Sequence, residues 1–292
     1  MFPIINKLML ANNVKRIDIY APNIARKAQP GQFVSICPEE GDERIPLSVV
    51  DVDPTKGNFT IIFQEVGPTT KKLANMAIRE KIFSILGPLG VPAQIKNYGQ
   101  VLCVATGVGT VQILPICRAL KNVGNKIIGV FGAKTKRSLL VESQLRITCN
   151  KIFITTNDGS YEKRGQATDI VEELLKSKDF DCIYAIGAVD MMHKVAMASR
   201  KKKIPTRVHL NPIMVDCMGM CGSCRVKIGR ERKLVCIDGP EFDGHEVDFD
   251  DVRIRLNAFK EPEQWKEQRS QRETQPGGST ILKRLLSGLL KG

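Results

Sequence analysis

Near Gln100 the rhythm of the chain changes, and no other feature constrains the fold as much. From there, apolar runs at Val101–Ala105, Lys126–Phe131, Lys151–Thr155, Cys182–Ile186 and Thr206–Leu210 alternate with helical segments at Val111–Asn122, Leu139–Ile147, Ala167–Ser177 and Val189–Lys202. A strand that is followed by a helix and then by another strand returns in parallel, so this half predicts a doubly wound parallel sheet. Before residue 100 the runs are short: Ile17–Tyr20, Gln32–Cys37, Pro46–Val50, Asn58–Val66 and Lys81–Leu86. Pro30-Gly31, Gly41-Asp42 and Lys56-Gly57 punctuate them. Short strands at that spacing predict an antiparallel barrel, with one helix near Thr70–Ala77.

A chain of 292 residues, 42% of them hydrophobic, has room for two cores and some attachments. The charge-free run from Asn97 to Cys117 is broken by Gly99, Gln100, Thr106, Gly107, Gly109, Thr110, Gln112 and Pro115, so no membrane span is expected. Met1 to Arg16 carries Lys7 in its apolar stretch and no small-residue cleavage site, so the expected location is cytoplasmic. The net charge of +13 is spread along the chain. Its densest run, Arg200–Lys203, closes a predicted helix without interleaved aromatics, so nucleic acid is not an expected partner. Acidic proteins such as ferredoxins, or nucleotide phosphates, suit the basic surface as well.

In a cytoplasmic chain, nine cysteines read as thiols or metal ligands rather than disulfides. Cys37, Cys103, Cys117, Cys149 and Cys182 lie in apolar segments and read as small core residues. Cys217, Cys221, Cys224 and Cys236 crowd one stretch, with eleven residues between the last two. Counted from Asp216, the pattern is Asp-x4-Cys-x2-Cys-x11-Cys, the spacing of a plant-type [2Fe–2S] site with Asp216 at the position of its first Cys. Gly219 and Gly222 let such a loop close over a cluster. A four-cysteine zinc site is the alternative, although its first spacing, Cys-x3-Cys, is unusual. The first ligand stays open at this point. Spacing favours Asp216, and the softer thiolate favours Cys217.

Arg44-Ile-Pro-Leu-Ser48, at the start of a barrel strand, offers a charged fork and a hydroxyl to a flavin. Val66-Gly-Pro-Thr-Thr70 opens a helix whose amides can meet a pyrophosphate. The candidate flavin residues are therefore Arg44, Pro46, Leu47, Ser48, Gly67, Thr69 and Thr70. Val101–Gly109 is a strand running into a glycine turn and then a helix, which suits close approach to a dinucleotide phosphate through Gly107 and Gly109. Lys134, Lys136 and Arg137 follow the next strand, where a 2′-phosphate would sit; an exposed basic loop explains them as well.

Together these segments resemble the ferredoxin-reductase-like electron-transfer subunits. They are similar to the small (alpha) subunits of NADH-dependent reduced ferredoxin:NADP⁺ oxidoreductases, also called sulfide dehydrogenase subunit beta. They resemble more distantly the electron-transfer subunit of dihydroorotate dehydrogenase. The resemblance runs from residue 1 to about 250 and is carried by Leu210–Asp216, Met220–Val226 and Cys236–Asp248. Arg44–Ser48, Gly87–Gly90, Thr156–Ser160 and Ala185–Gly187 with Met191-Met192 add to it.

The resemblance implies FAD, a [2Fe–2S] cluster and NAD(H) or NADP(H) as cofactors. It implies Asp216, Cys221, Cys224 and Cys236 as cluster ligands, and adds Asp158, Gly159 and Gly187 to the nucleotide site. It further implies a larger flavin and iron–sulfur subunit as partner, with ferredoxin as another candidate. Hydride exchange between nicotinamide and flavin needs no protein acid or base, so no catalytic side chain is expected. The family has glycine where this chain has Cys217, and glycines or alanine at Ala105, Thr106 and Val111. The last three departures keep a non-catalytic homologue with an altered nucleotide site as an alternative, beside an electron-transfer subunit of a dihydroorotate dehydrogenase. The expected units are a flavin barrel at 1–96, a nucleotide domain at 97–210, a cluster module at 211–250 and a partly helical extension at 251–292. In that extension Trp265, the linker Gln275–Gly278 and the amphipathic stretch Ile281–Leu290 are candidate docking features.

Overall fold

The computed structural model describes residues 1–258. The expectations placed on Trp265, Gln275–Gly278 and Ile281–Leu290 lie outside the described residues.

The first half is built from β1 (Phe2–Ala11), β2 (Val14–Tyr20), α1 (Pro22–Lys27), β3 (Phe33–Cys37), β4 (Ile45–Asp53), β5 (Asn58–Gln64), α2 (Pro68–Asn75), β6 (Lys81–Ile82) and β7 (Ser84–Leu89). The seven strands pair antiparallel in the order β6-β1-β2-β5-β4-β3-β7. The two edge strands, β6 and β7, are neighbours in the chain, so the sheet curls into a nearly closed barrel. Alternation sets the two faces. Phe59, Ile61 and Phe63 of β5 enter the barrel core with Ile17, Ile19, Val34 and Ile36, whereas Ile62 points out against Val50 and Val111.

The second half contains β8 (Gln100–Thr106), α3 (Gly109–Asn122), β9 (Lys126–Ala133), α4 (Glu142–Thr148), β10 (Lys151–Thr156), β11 (Lys163–Arg164), α5 (Ala167–Ser177), β12 (Cys182–Ile186), α6 (Val189–Arg200) and β13 (Thr206–His209). Its strands pair in parallel in the order β11-β10-β9-β8-β12-β13. Leu102 and Val104 face the layer of α5 and α6, and Val101, Cys103 and Ala105 face that of α3 and α4. Cys103, Cys117, Cys149 and Cys182 are buried thiols of this second layer.

The cysteine-rich segment follows, with β14 (Arg225–Ile228), β15 (Glu231–Leu234), α7 (Val235–Asp238), β16 (Glu241–Asp243) and α8 (Phe249–Asn257). It does not stand apart from the sheet. β16 adds to the sheet edge antiparallel to β13. Cys217, Cys224, Val226, Val235, Cys236 and Val252 belong to the same core as Leu102, Val104 and Ile183. Asp248 caps α8 by accepting the Asp251 N–H at 3.1 Å.

Among the elements that go beyond the sequence reading are β1, α1 and β16. β1 is a full strand closed onto β2 by the two-residue turn Asn12-Asn13, with Ala11 paired to Val14. Met9 and Leu8 face solvent there, so the usual in–out alternation is blurred. α1 is too short to show a helical period, and β16 is a three-residue strand that pairs only through tertiary contact.

Phe33 belongs to a barrel strand, yet its 4%-exposed ring packs into the core under the parallel sheet. Phe33→Ala is expected to cost about 3–5 kcal/mol in one cooperative denaturant transition. Two separate transitions, with the loss confined to one of them, would mean that this seam does not couple the two halves.

Candidate functional site

The loop from Asp216 to Cys236 turns back on itself through Cys217, Gly219 and Gly222, all at positive φ (+63°, +83° and +65°). At Gly219 a side chain would meet Ile237 of α7 at 2.7 Å, so only glycine lets the loop lie this close. The Asp216 carboxylate accepts the N–H groups of Met218 (2.9 Å), Met220 (2.9 Å) and Cys221 (2.6 Å). These amides, led by that of Met218, hold its pKa below the usual carboxylate range.

Cys224 and Cys236 lie inside, 2% and 1% exposed, in one apolar core. Burial, then the Cys224 thiol, pushes Cys236 up to about 12. Cys221 is exposed; although burial works against it, the Ser223 hydroxyl and amide hold this thiol below its ordinary range. Among the described residues, no three His, Cys, Asp or Glu side chains gather closely enough for a single metal ion. The loop instead sets its donors two and two: Asp216 with Cys221 on the outer side, Cys224 with Cys236 within. Three soft thiolates and one carboxylate in two pairs, with loop amides turned toward the acceptors, fit the needs of a two-iron cluster. Val215, Met218, Met220 and Ile237 form an exposed apolar rim beside it, with Met220 85% exposed.

The barrel turns one face of β3 and β4 toward the second half of the chain. Ile45, Leu47 and Val49 pack into the barrel core, and the opposite face carries Pro46 and Ser48. Leu47 can thus reach a ligand on that outer face only through its backbone. Pro46 pairs with Ser35 and Ser48 with Phe33 across the two strands. Arg44 donates through Nη2 to the Ser84 hydroxyl at 2.9 Å, while its Nη1 is buried without a partner. The Ser35 hydroxyl is likewise buried and in hydrogen-bond geometry with nothing. Buried polar atoms without partners are costly, and two of them beside this face fit a polar planar ligand such as a flavin. Lys72 of α2 reaches Asp42 (2.8 Å) and Glu39 (2.9 Å), which seats α2 against the loop that leads to Arg44. At the start of α2 the Thr70 hydroxyl is occupied locally, accepting the N–H groups of Val66 (3.0 Å) and Gly67 (2.9 Å). Thr69 is half-buried beside it.

In the parallel sheet the strand order switches sides between β8 and β12, and the crevice at their carboxyl ends is where such folds take nucleotides. Gly107, Gly109 and Gly187 meet there. Gly187, at φ +146°, has no room for a side chain because the Thr106 hydroxyl occupies that space. That hydroxyl accepts the Ala188 N–H at 3.3 Å and ties the two turns together. Asp158 and Gly159 do not join this group. They stand at the end of β10 beside the basic loop, where the Lys136 N–H donates to Ser160 (2.8 Å) and Asp158 accepts the Ser160 hydroxyl (2.7 Å). The Lys136 ammonium lies over the Tyr161 ring, 4.8 Å from its centre. The buried hydroxyl of Ser35 is a feature that the sequence did not reveal; a lone serine in an apolar run carries no signal.

Residues 211–248 match the family model of the iron–sulfur cluster binding domain of dihydroorotate dehydrogenase B. A protein of Thermotoga maritima named dihydroorotate dehydrogenase B (NAD(+)), electron transfer subunit homolog, is 41% identical over 260 residues, 89% of this chain and 92% of that protein. The electron transfer subunit of that enzyme from Desulforamulus reducens is 30% identical over 82% of this chain and 94% of its own. A solved structure of an NADH-dependent reduced ferredoxin-NADP oxidoreductase, described in terms of flavin-based electron bifurcation, superimposes with TM-score 0.87 at 40% identity, over 92% of this chain and 97% of that one. Ferredoxin-NADP⁺ reductase of Plasmodium falciparum, at 16% identity and TM-score 0.57 over 72% of this chain and 95% of its own, shares the fold. The chain belongs to the family of the dihydroorotate dehydrogenase B electron transfer subunits and their homologues.

Proposed function

We propose that this chain is the electron-transfer subunit of a cytoplasmic oxidoreductase, carrying FAD and a [2Fe–2S] cluster and exchanging electrons with NAD(H) or NADP(H). The observation that carries this reading is the Asp216–Cys236 loop: three thiols and a carboxylate set in two pairs, seated against the outer face of a flavin-type barrel. When bound, the flavin exchanges hydride with the nicotinamide and single electrons with the cluster. The chain's own residues bind and orient.

Arg44 supplies an unpaired guanidinium nitrogen, Pro46 and Ser48 a flat surface, and Gly67, Thr69 and Thr70 a helix start facing a pyrophosphate. Gly107, Gly109 and Gly187 keep the crevice between β8 and β12 open to phosphate, with Asp158 and Gly159 further along its rim. Lys134, Lys136 and Arg137 stand where they can meet a 2′-phosphate. Asp216, Cys221, Cys224 and Cys236 hold the cluster. The same roles divide the chain at 1–96, 97–210, 211–250 and 251–292.

Cys221 is the exposed donor, and the apolar rim of Val215, Met218, Met220 and Ile237 surrounds its side of the loop. A larger flavin and iron–sulfur subunit docks there, as suits a cluster that passes electrons outward. The solved oxidoreductase structure at 40% identity supports a ferredoxin–NADP⁺ type of assembly. The relatives named for dihydroorotate dehydrogenase B support a second reading, with a dihydroorotate-oxidising partner in its place.

Purified protein is expected to show flavin and iron–sulfur absorption that bleaches on adding NADH or NADPH. A colourless protein, or one that neither nucleotide reduces, would refute the reading. Arg44→Ala is expected to lose most of its flavin during purification, and full retention would place the flavin elsewhere. Lys136→Glu is expected to weaken reduction by NADPH by roughly ten- to a hundredfold and to leave NADH nearly unaffected, since one charge-assisted phosphate contact is worth about 1.5–3 kcal/mol.

The ligand assignment has its own test in the electron paramagnetic resonance signal of the reduced cluster. Cys221→Ser, Cys224→Ser, Cys236→Ser and Asp216→Ala are each expected to abolish or distort it, and Cys217→Ser to leave it nearly intact. A loss confined to Cys217, with Asp216 silent, would reverse the assignment of the first ligand.

A further inference from the structure

Helices α5 and α6 pack side by side on one face of the parallel sheet, and a cavity of about 450 Å³ opens between them. That volume falls within the range of small-molecule sites, roughly 300–1,000 Å³. Leu175 of α5 and Met197 and Ala198 of α6 give it an apolar part, with Met197 51% exposed. Lys176, Lys194, Lys201 and Lys202 stand around it, and Glu172 is the one carboxylate in its lining. The neighbouring acids are engaged elsewhere. Glu173 holds Lys163 at 2.7 Å, Asp169 accepts the Gln166 N–H at 2.8 Å, and Asp190 and Asp250 both hold Arg253. Among the described residues Lys176, Lys201 and Lys202 enter no ion pair, and Lys194 reaches only the amide oxygen of Gln166, at 3.3 Å. Like charges gathered around one hollow repel each other, and a multiply charged anion relieves that repulsion. His193 adds a fixed wall. Its ring stacks on Phe249 of α8, with centroids 4.8 Å apart and planes 20° from parallel. Arg253 donates through Nη2 to its Nδ1 at 2.9 Å. A guanidinium only donates, so the neutral ring carries its proton on Nε2, which has no partner among the described residues.

We propose that the cavity between α5 and α6 is a binding site for an organic polyphosphate, an anion of two or more phosphates joined to an apolar body. The lysine ammoniums meet the phosphates as point charges, and the His193 Nε2–H donates to one of them. The apolar body lies against Leu175, Met197 and Ala198. This site is separate from the crevice at the carboxyl ends of β8 and β12, and the electron-transfer reading does not depend on it. α6 starts at that crevice and runs back along the sheet for 12 residues, about 18 Å at the helical rise. Lys201 and Lys202 follow its far end, and Lys176 lies in the last turn of α5, which runs the same way. An acidic protein would meet the same charges, but a hollow with a rigid ring in its wall suits a small molecule better than a protein face.

The test titrates the purified full chain with tripolyphosphate and with ATP, by calorimetry at low salt and without divalent metal. It compares wild type with the double variant Lys176→Glu and Lys201→Glu, with Met197→Asp, and with Lys134→Glu in the basic loop at the carboxyl edge of the sheet. All the substituted residues are at the surface, so folding is checked by an unchanged circular dichroism spectrum. Tripolyphosphate is expected to bind the wild type, and the double variant to weaken it by roughly tenfold or more. Lys134→Glu is expected to leave that binding nearly unchanged, and added salt to weaken it steeply in the wild type. ATP is expected to bind more tightly than tripolyphosphate, and Met197→Asp to remove most of that difference. Absence of tripolyphosphate binding, or equal binding by wild type and double variant, overturns the proposal. A loss in Lys134→Glu as large as in the double variant overturns it by placing the anion at the carboxyl edge. Equal affinity for ATP and tripolyphosphate overturns the assignment to an organic ligand. Retention on immobilised polyglutamate that the double variant loses, without tripolyphosphate binding, overturns it by making the hollow a docking face for an acidic protein.

Discussion

One continuous apolar core joins the three functional parts of this chain. Phe33 from the barrel, Leu102, Val104 and Ile183 from the parallel sheet, and Cys217, Cys224, Val226 and Cys236 from the cysteine loop all pack into it. Burial of that surface is a main force holding the loop in one orientation, because the turns from Asp216 to Cys224 have no regular structure and no disulfide. The sheet then extends over the loop's far side through β16, whose residues pair with β13 from Arg207 to His209. Backbone hydrogen bonds on one flank and apolar packing on the other fix the loop against both the barrel and the crevice.

The polar contacts across these seams refine the arrangement rather than create it. The His209 and Glu241 side chains, both about 8% exposed, approach to 3.4 Å where β13 meets β16. The Gln94 N–H reaches the other oxygen of Glu241 at 3.2 Å, so the segment joining barrel to sheet is fastened to the same carboxylate. Surface pairs such as Arg118–Asp51 contribute little individually, since solvent screens them. The mean excess of positive charge therefore bears on what approaches the molecule, through long-range steering, and hardly at all on why it folds.

Much of the parallel sheet was legible because each element declares its period locally. Cys182–Ile186 and Ala167–Ser177 appear with the very limits that the apolar pattern gives. A five-residue apolar run is too short for a buried helix and fits a strand buried on both faces, and the amphipathic run is long enough to show its stripe. The barrel was legible in most of its strands: the runs at Ile17–Tyr20, Gln32–Cys37, Pro46–Val50, Asn58–Val66 and Lys81–Leu86 fall on β2, β3, β4, β5 and the pair β6 and β7, and β1 was missed. β1 has solvent-facing Leu8 and Met9 where alternation would put polar groups. β16 carries no local signal, because its pairing depends on a partner strand thirty-odd residues earlier in the chain. The same division holds at the sites. Glycines and clustered cysteines announce themselves in one dimension, since their spacing is their function. The burial of Ser35 shows only once its strand partners Pro46 and Leu86 are seen beside it. The start of α2 is an intermediate case: the sequence marks a helix N-terminus, but not that Thr70 spends its hydroxyl on the amides of Val66 and Gly67.

Where the parallel sheet meets the crevice, one side chain fixes two turns at once. The Thr106 hydroxyl accepts the Ala188 N–H at 3.3 Å and occupies the space that a side chain at Gly187 would need. The end of β8 is thereby held against the turn that follows β12, its parallel neighbour in the sheet. Rigid spacing of this kind is what electron transfer requires, because it depends on holding the donor and acceptor at a set distance.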